Sequence, residues 1–317
     1  MRIRLGTRQS ALALWQANHV AAELMRLGHE VELVRITTSG DVSTTPLGQS
    51  DGQGQFTKEI QRALLDDRCD LAVHSLKDLP TEEHSSLKLA AVPEREGPED
   101  CLVSRFGTLD TLPQGSKIGT GSPRRRAQLL HRRPDLNIAD IRGNVDSRLR
   151  KLDEGQYDAI VLAFAGLHRL QLEHRITEKL DPDWMVPAVG QAALGLETRR
   201  DDEAAMNAIS PLDHPCTHAA VAAERSLLRS MRAGCLAPLA AHARLINNSL
   251  HLSAKVFSAD GQRVIEAAEQ LVANADWPPF ELYAHAELLG QRVAEQLQKQ
   301  GAGELIRDAR AESKEPS

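Results

Sequence analysis

The chain has no apolar run long enough to cross a bilayer, few aromatic residues and no paired cysteine motif, and each shortage removes a class of function. No stretch of its 317 residues approaches about 18 uninterrupted apolar positions, and the opening MRIRLGTRQS is charged and strand-like, unlike a secretion signal. A cytoplasmic protein with no membrane partner is expected. Aromatics make up 3% of the chain, which leaves few platforms for stacking bases, and the net charge of -6 opposes general attraction to nucleic acid. The four cysteines, Cys69, Cys101, Cys216 and Cys235, nowhere stand at C-x-x-C spacing, so they outline neither a zinc site nor a disulfide framework. His131, His168 and His242 show no ligand spacing, and no metal is expected.

What remains is an ordinary globular composition, 41% hydrophobic and 26% charged, on a chain longer than one average domain. Its organising stretch is DLAVHSLKDLP, Asp70 to Pro80. Leu71, Ala72 and Val73 read as a buried strand too short for a helix, and Pro80 denies Leu79 the helical region, so His74 to Asp78 should form the strand's carboxyl end and the turn after it. In α/β sheets ligands bind at that end. Taken alone, Lys77 and Asp78 are equally well read as a solvated turn pair. The other strand ends tip the balance.

Ile3 to Leu5 reads as a strand, followed by GTRQS and a helix with Leu14, Ala17, Ala21 and Leu24 at helical spacing and Ser10 as its N-cap. Arg8 and Ser10 thus stand where free backbone N–H groups favour an anion. A strand over Val31 to Ile36 leads into a long polar, glycine-rich segment, Thr38 to Gly54, expected to act as a lid. After a helix over Phe56 to Leu65 and strands ending at His74 and Val92, the charged Pro93 to Pro98 segment reads as a crossover to a second domain. There Lys117 to Gly119 is a strand, and RRRAQLLHRR begins a helix with Ser122 at the N-cap and Pro123 at its first position. Arginines in a first helical turn oppose the macrodipole by roughly 0.3 to 1 kcal/mol each, and a docked anion would reverse that sign. Further strands end before Arg142 and before AGLHRL, which carries Arg169, and Arg148 lies on the helix between them. Arg8, Lys77, Arg124, Arg125, Arg142, Arg148 and Arg169 therefore come within reach of one possible cleft, suited to a ligand with several carboxylates or phosphates.

PAVGQ, Pro187 to Gln191, reads as a return crossover leading to a strand over Ala193 to Glu197, and two crossovers make a two-lobed clam. From His214 the pattern changes to a helix, the loop MRAGCLAP, three strands with an Asp260-Gly261 hairpin, and a helix over about Glu281 to Leu297. Domain 1 is expected over 1-93 and 191-211, domain 2 over 98-187 and domain 3 over 214-310. Cys69 and Cys101 read as small buried hydrophobes, whereas Cys235 lies in a glycine-containing loop where a thiolate suits a nucleophile or an attachment point.

Taken together, RLGTRQSALALWQA, FTKEIQRALL, DLAVHSLKDLP, IRGNVDSRL, YDAIVLAFAGLHRL and PAVGQ resemble the porphobilinogen deaminase (hydroxymethylbilane synthase) family over nearly the whole chain. The resemblance implies an α/β fold of two periplasmic-binding-protein-like lobes forming a cleft, plus a small C-terminal α+β domain. It also implies a monomer that joins four porphobilinogen molecules head to tail, releasing ammonia, onto a dipyrromethane cofactor held by a cysteine thioether, before water frees the linear tetrapyrrole.

Residue by residue, Asp78 matches the catalytic aspartate and Cys235 the attachment cysteine. Arg8, Ser10, Ser75, Lys77, Thr120, Ser122, Arg124, Arg125, Arg142, Arg148 and Arg169 match substrate- or cofactor-binding positions, and Phe56 matches an aromatic beside the site. The chain departs from the family pattern at Gln49 and Gln53, where lysines are expected, at Pro123 in place of leucine, at Ala192 in place of glycine, and in AGC rather than GGC before the cofactor position. Two other readings compete. A non-catalytic polycarboxylate receptor needs neither Asp78 nor Cys235, and an RNA-binding protein using the triple arginine is opposed by the acidic total.

Overall fold

In a computed structural model the described residues are 1–37, 57–234, 237–274 and 276–312, so the expected lid and Phe56, Gln49, Gln53 and Cys235 lie outside them. The chain divides into two compact units, Met1–Glu96 with Gly190–Ala219, and Gly97–Val189 with Ala220–Ser317. In chain order the first stretch carries β1 (Arg2–Thr7), α1 (Ala11–Arg26), β2 (Glu30–Arg35), α2 (Lys58–Leu65), β3 (Leu71–Ser75) and β4 (Leu87–Ala91). The second carries β5 (Asp100–Ser104), β6 (Lys117–Gly119), α3 (Pro123–Arg132), β7 (Asn137–Ala139), α4 (Val145–Asp153), β8 (Ala159–Ala163), α5 (Phe164–Arg169) and β9 (Glu178–Lys179). The rest is β10 (Leu194–Arg199), α6 (Glu203–Ile209), α7 (Pro215–Ser230), β11 (Leu239–Ile246), β12 (Ser249–Phe257), β13 (Val264–Val272), α8 (Pro279–Lys299) and α9 (Ala302–Glu312).

The two larger sheets repeat one topology. The order is β2-β1-β3-β10-β4 in the first unit and β7-β6-β8-β5-β9 in the second, each with three parallel strands followed by one antiparallel strand, β10 or β5. Parallel strands buried on both faces carry near-continuous apolar runs, as in LAVHS of β3 and AIVLA of β8. In the first unit one face packs Ile3, Leu5 and Val73 against Val20 and Leu24 of α1, and the other packs Ala72 against Ile60 and Leu64 of α2. Because the three strands run the same way, their carboxyl ends, and the turns that leave them, lie along one side of each sheet.

The C-terminal elements keep their own antiparallel meander, β11-β12-β13, with alternating burial along β12. The expected C-terminal domain of antiparallel sheet and helices is present in these elements, which fall within the second compact unit. His131 Nδ1 of α3 donates to the Gly261 carbonyl at 2.7 Å, and Ala241 N donates to the Pro187 carbonyl at 3.2 Å. The Asp260-Gly261 hairpin lies so close to α3 that a Cβ on Gly261 would come within 2.4 Å of the Ala127 carbonyl oxygen. Ala192, where the family pattern has glycine, takes φ 71, a left-handed conformation costly for any residue with a Cβ. The sequence reading passed over β5, β9, α5, α6 and α9.

Candidate active site

In the first unit, two strand ends open into one pocket lined by Arg8, Ser10, Gln16, Thr57, Ile60, His74, Ser75, Lys77 and Asp78, among others. β1 runs out at Thr7, and Ser10 caps α1 as expected, its backbone extended and its hydroxyl accepting from Ala13 N at 3.4 Å. β3 ends at Ser75 and passes into a single 3-10 turn, Leu76–Asp78, after which Leu79 is extended ahead of Pro80. The turn rests on the chain returning from the second unit: Leu76 N donates to the Ala193 carbonyl at 3.0 Å, and Leu76 is buried. This backbone arrangement leaves Lys77 and Asp78 half-buried on the lining. Two cations, one carboxylate and the start of a four-turn helix give the lining a positive bias that suits an anionic ligand beside one acid-base group.

Among the lining residues that the sequence reading did not select are Gln16 and His74. Gln16, on the buried face of α1, donates from Nε2 to Ser75 Oγ at 2.9 Å and so fixes a side chain that was expected in the site. His74 is 3% exposed and faces Glu197 of β10, with Nε2 and Oε2 2.9 Å apart.

In the second unit the remaining expected residues gather at the carboxyl ends of β6, β7 and β8. Thr120 and Ser122 follow β6, and the Ser122 hydroxyl accepts from Arg125 N at 3.4 Å. Arg142 follows β7 and lies 3.6 Å from Asp140, while Arg148 on α4 donates from Nε to the Gly143 carbonyl at 2.8 Å. Arg169 closes α5 and is buried.

Arg124 and Arg125 depart from expectation. Both are buried, and the anion that meets them comes from within the protein. Arg124 Nη2 donates to Asp100 Oδ2 at 2.6 Å, and Arg125 donates to Asp100 Oδ1 from Nη2 at 2.6 Å and from Nε at 3.1 Å. Carbonyls of Val186 and Val161 accept further bonds at 2.5 and 2.9 Å. Burial alone would raise the Asp100 pKa, but the two guanidiniums outweigh it and hold the carboxyl well below the usual range. Arg126, the third of the run, is the exposed one.

Two family models match successive parts of the chain. A family model described as porphobilinogen deaminase, dipyromethane cofactor binding domain, matches residues 3–207, and one described as the porphobilinogen deaminase C-terminal domain matches residues 218–299. The chain belongs to the porphobilinogen deaminase family. Among curated relatives, the porphobilinogen deaminase of Geobacter sulfurreducens is 47% identical over 96% of this chain and 94% of its own. That of Pelobacter propionicus is 43% identical over 97% of each, and that of Chlorobium phaeobacteroides 45% identical over 98% of each.

Solved structures also align. The periplasmic VFT2 domain of Bordetella pertussis BvgS has TM-score 0.40 at 15% identity, covering 66% of this chain and 85% of its own. A periplasmic sulfonate-binding protein from Methylobacillus flagellatus has TM-score 0.37 at 17% identity, covering 73% and 68%.

The cofactor named by the family model is a pair of linked pyrroles with carboxylate side chains, and the donors of the second unit fit it. Asp100 brings one negative charge to two buried guanidiniums, and Arg124 Nε is a buried donor with no hydrogen-bond partner among the described residues. A ligand carboxylate would balance that charge. Among the other cysteines, burial pushes the Cys69 thiol up to about 11 and the Cys101 thiol up to about 12, so neither supplies a thiolate near neutrality. Among the described residues no helix is long and apolar enough to cross a membrane, and no group of side chains could hold a metal ion.

Proposed function

We propose that this chain acts as a porphobilinogen deaminase in tetrapyrrole biosynthesis, with Asp78 as its acid-base group and Cys235 as the thioether anchor of the dipyrromethane. The observation that carries the reading is the lining of the first unit's pocket, which combines the Asp78 carboxylate with Arg8, Lys77 and the start of α1. Porphobilinogen has an acetate, a propionate and an aminomethyl group on one pyrrole. Arg8, Lys77 and the N–H groups around Ser10 suit the two carboxylates and leave the ring N–H to Asp78.

When the C–N bond breaks, its electron pair leaves with the nitrogen as ammonia, and the substrate's methylene becomes a cation conjugated with the ring nitrogen. A carboxylate held beside that N–H stabilises the cation as it forms. Dipyrromethane, when bound by the donors of the second unit, would supply the nucleophilic pyrrole carbon for the new carbon-carbon bond. Asp78 would take up the pyrrole proton that carbon-carbon bond formation displaces, and could give it to the departing amine of the next cycle. Arg124, Arg125, Arg142, Arg148 and Arg169, with Thr120 and Ser122, hold carboxylates of the bound pyrroles. Ser75, fixed by Gln16, contributes a hydroxyl beside Asp78.

The reading includes three further assignments: the cytoplasm, a monomer, and Phe56 beside the substrate. It is tested by steady-state ammonia release from porphobilinogen. Asp78→Ala should fold, since the side chain leaves a strand end rather than the core, and should lose about 10²-fold or more in kcat. Asp78→Glu should retain a small residual rate. An alanine variant with near-normal turnover removes Asp78 from the mechanism.

A further inference from the structure

Beneath the pocket of the first unit lies a buried pair, His74 and Glu197, tied to the half-buried Gln61, that the mechanism above does not use. His74 and Glu197 stand on the neighbouring antiparallel strands β3 and β10, where His74 pairs with Gly195 and Ala72 pairs with Glu197. Their side chains therefore emerge on one face as diagonal neighbours. That face is covered by α2, from which Gln61 Nε2 donates to Glu197 Oε1 at 2.9 Å while His74 Nε2 lies 2.9 Å from Glu197 Oε2. The side chains of His74 and Glu197 are 2% and 5% exposed. An ionisable pair so far from water carries a desolvation cost that an apolar pair at the same sites would avoid. Position in the fold explains its presence. His74 is itself part of the pocket lining, and its strand continues directly through Ser75 into the turn holding Lys77 and Asp78. α2 contributes Thr57 and Ile60 to the same lining. Glu197 thus fastens the floor of the pocket, through His74, to one of its walls, through Gln61.

We propose that His74 is a positioning residue for Asp78, clamped by Glu197 and Gln61 so that the end of β3 holds its place while the substrate cation forms. The proposal rests on the reading of Asp78 above. Glu197, acting as acceptor, requires a proton on His74 Nε2, which fixes the ring's orientation. Loss of the clamp leaves the strand paired through its backbone, and Ser75 bonded to Gln16, but removes the side-chain tie between the end of β3 and both β10 and α2. A displacement of about 1 Å at a reacting group can cost on the order of 10²-fold in rate.

The experiment is a double-mutant cycle on the full chain carrying its cofactor, with kcat and KM measured for porphobilinogen and thermal unfolding recorded for each variant. His74→Leu should lower kcat by about 10- to 100-fold with KM changed less than about threefold. His74→Gln, whose amide nitrogen can take the place of Nε2, should recover most of that loss. Combined with Asp78→Glu, His74→Leu should cost much less than it does alone, because a mispositioned carboxylate has little more to lose. A general structural weakness would multiply through both backgrounds. Should His74→Leu fail to fold, the same cycle is run with Glu197→Gln, which keeps the shape and removes the charge. A folded variant with normal kcat, or losses that multiply with Asp78→Glu, overturns the proposal. A normal rate for Asp78→Glu and Asp78→Ala alone would instead overturn the assignment of Asp78.

Discussion

Replacing Asp100 by asparagine removes the carboxylate that bridges Arg124 and Arg125 and leaves the rest of the second unit's sheet in place. Asp100 is fully buried, and its two oxygens accept three guanidinium bonds at 2.6, 2.6 and 3.1 Å. Summing those bonds would overstate the effect, because the guanidiniums also bond to carbonyls of Val161 and Val186. Removing one partner of a buried ion pair costs about 3 to 5 kcal/mol, chiefly through the charge left uncompensated. Asp100→Asn should therefore lower stability by that amount in urea unfolding followed by circular dichroism, with the slope unchanged.

The exposed Arg126 in the same helical turn is the control, and Arg126→Ala should cost no more than about 0.5 kcal/mol. The pH dependence follows from the sign of the shift. The folded carboxyl titrates below its unfolded value of about 3.9, so its contribution is complete above that pH and is lost only as pH falls through the folded value. The gap between wild type and Asp100→Asn should be constant from about pH 7 to pH 5 and close only in stronger acid. A variant within about 1 kcal/mol of wild type at pH 7 would show that the buried cluster does not need its internal anion.

Gly190 takes φ 68, and a Cβ there would lie 3.2 Å from Leu76 Cγ, so Gly190→Ala forces a left-handed alanine against the turn that carries Asp78. The conformational cost of roughly 1 to 2 kcal/mol exceeds the entropy gained in the unfolded chain, and both Tm and kcat should fall. Unchanged values in both would mean that the return segment does not set the turn. In the native protein at pH 8, an alkylating reagent should label the half-buried Cys216 well before Cys69 or Cys101, whose buried thiols are held up to about 11 and 12. Rapid labelling of either buried cysteine, read by peptide mass, would contradict that burial.

Much of the first unit was legible because its signals are local. The apolar run Leu71 to Val73 ahead of Pro80, the helical spacing after Ser10 and the Ser122-Pro123 start each place an element without reference to the rest of the chain. Asp100 was not legible. It is the last residue of the charged run EREGPED and reads as one more loop acid, while its partners lie 24 and 25 residues away on α3. The arginines' need for an anion could be read from the sequence, but not that the protein supplies one itself.

Gln16 left a clue that was not used, since it stands in phase with the buried Val20 and Leu24 where an apolar residue is expected. His74 left the same clue at the end of a buried strand. α9 escaped notice because Leu305, Ile306 and Ala309 mark barely more than one helical turn in a charged segment.

The account stands or falls on a covalently primed active site, and intact mass spectrometry of the purified full-length protein tests that directly. The predicted result is a mass above that of the sequence by one dipyrromethane, with Cys235→Ser losing both the added mass and ammonia release from porphobilinogen. A fully active protein at the unmodified sequence mass would contradict the account, and an unmodified protein that binds polycarboxylates without turnover would replace the enzyme with a receptor.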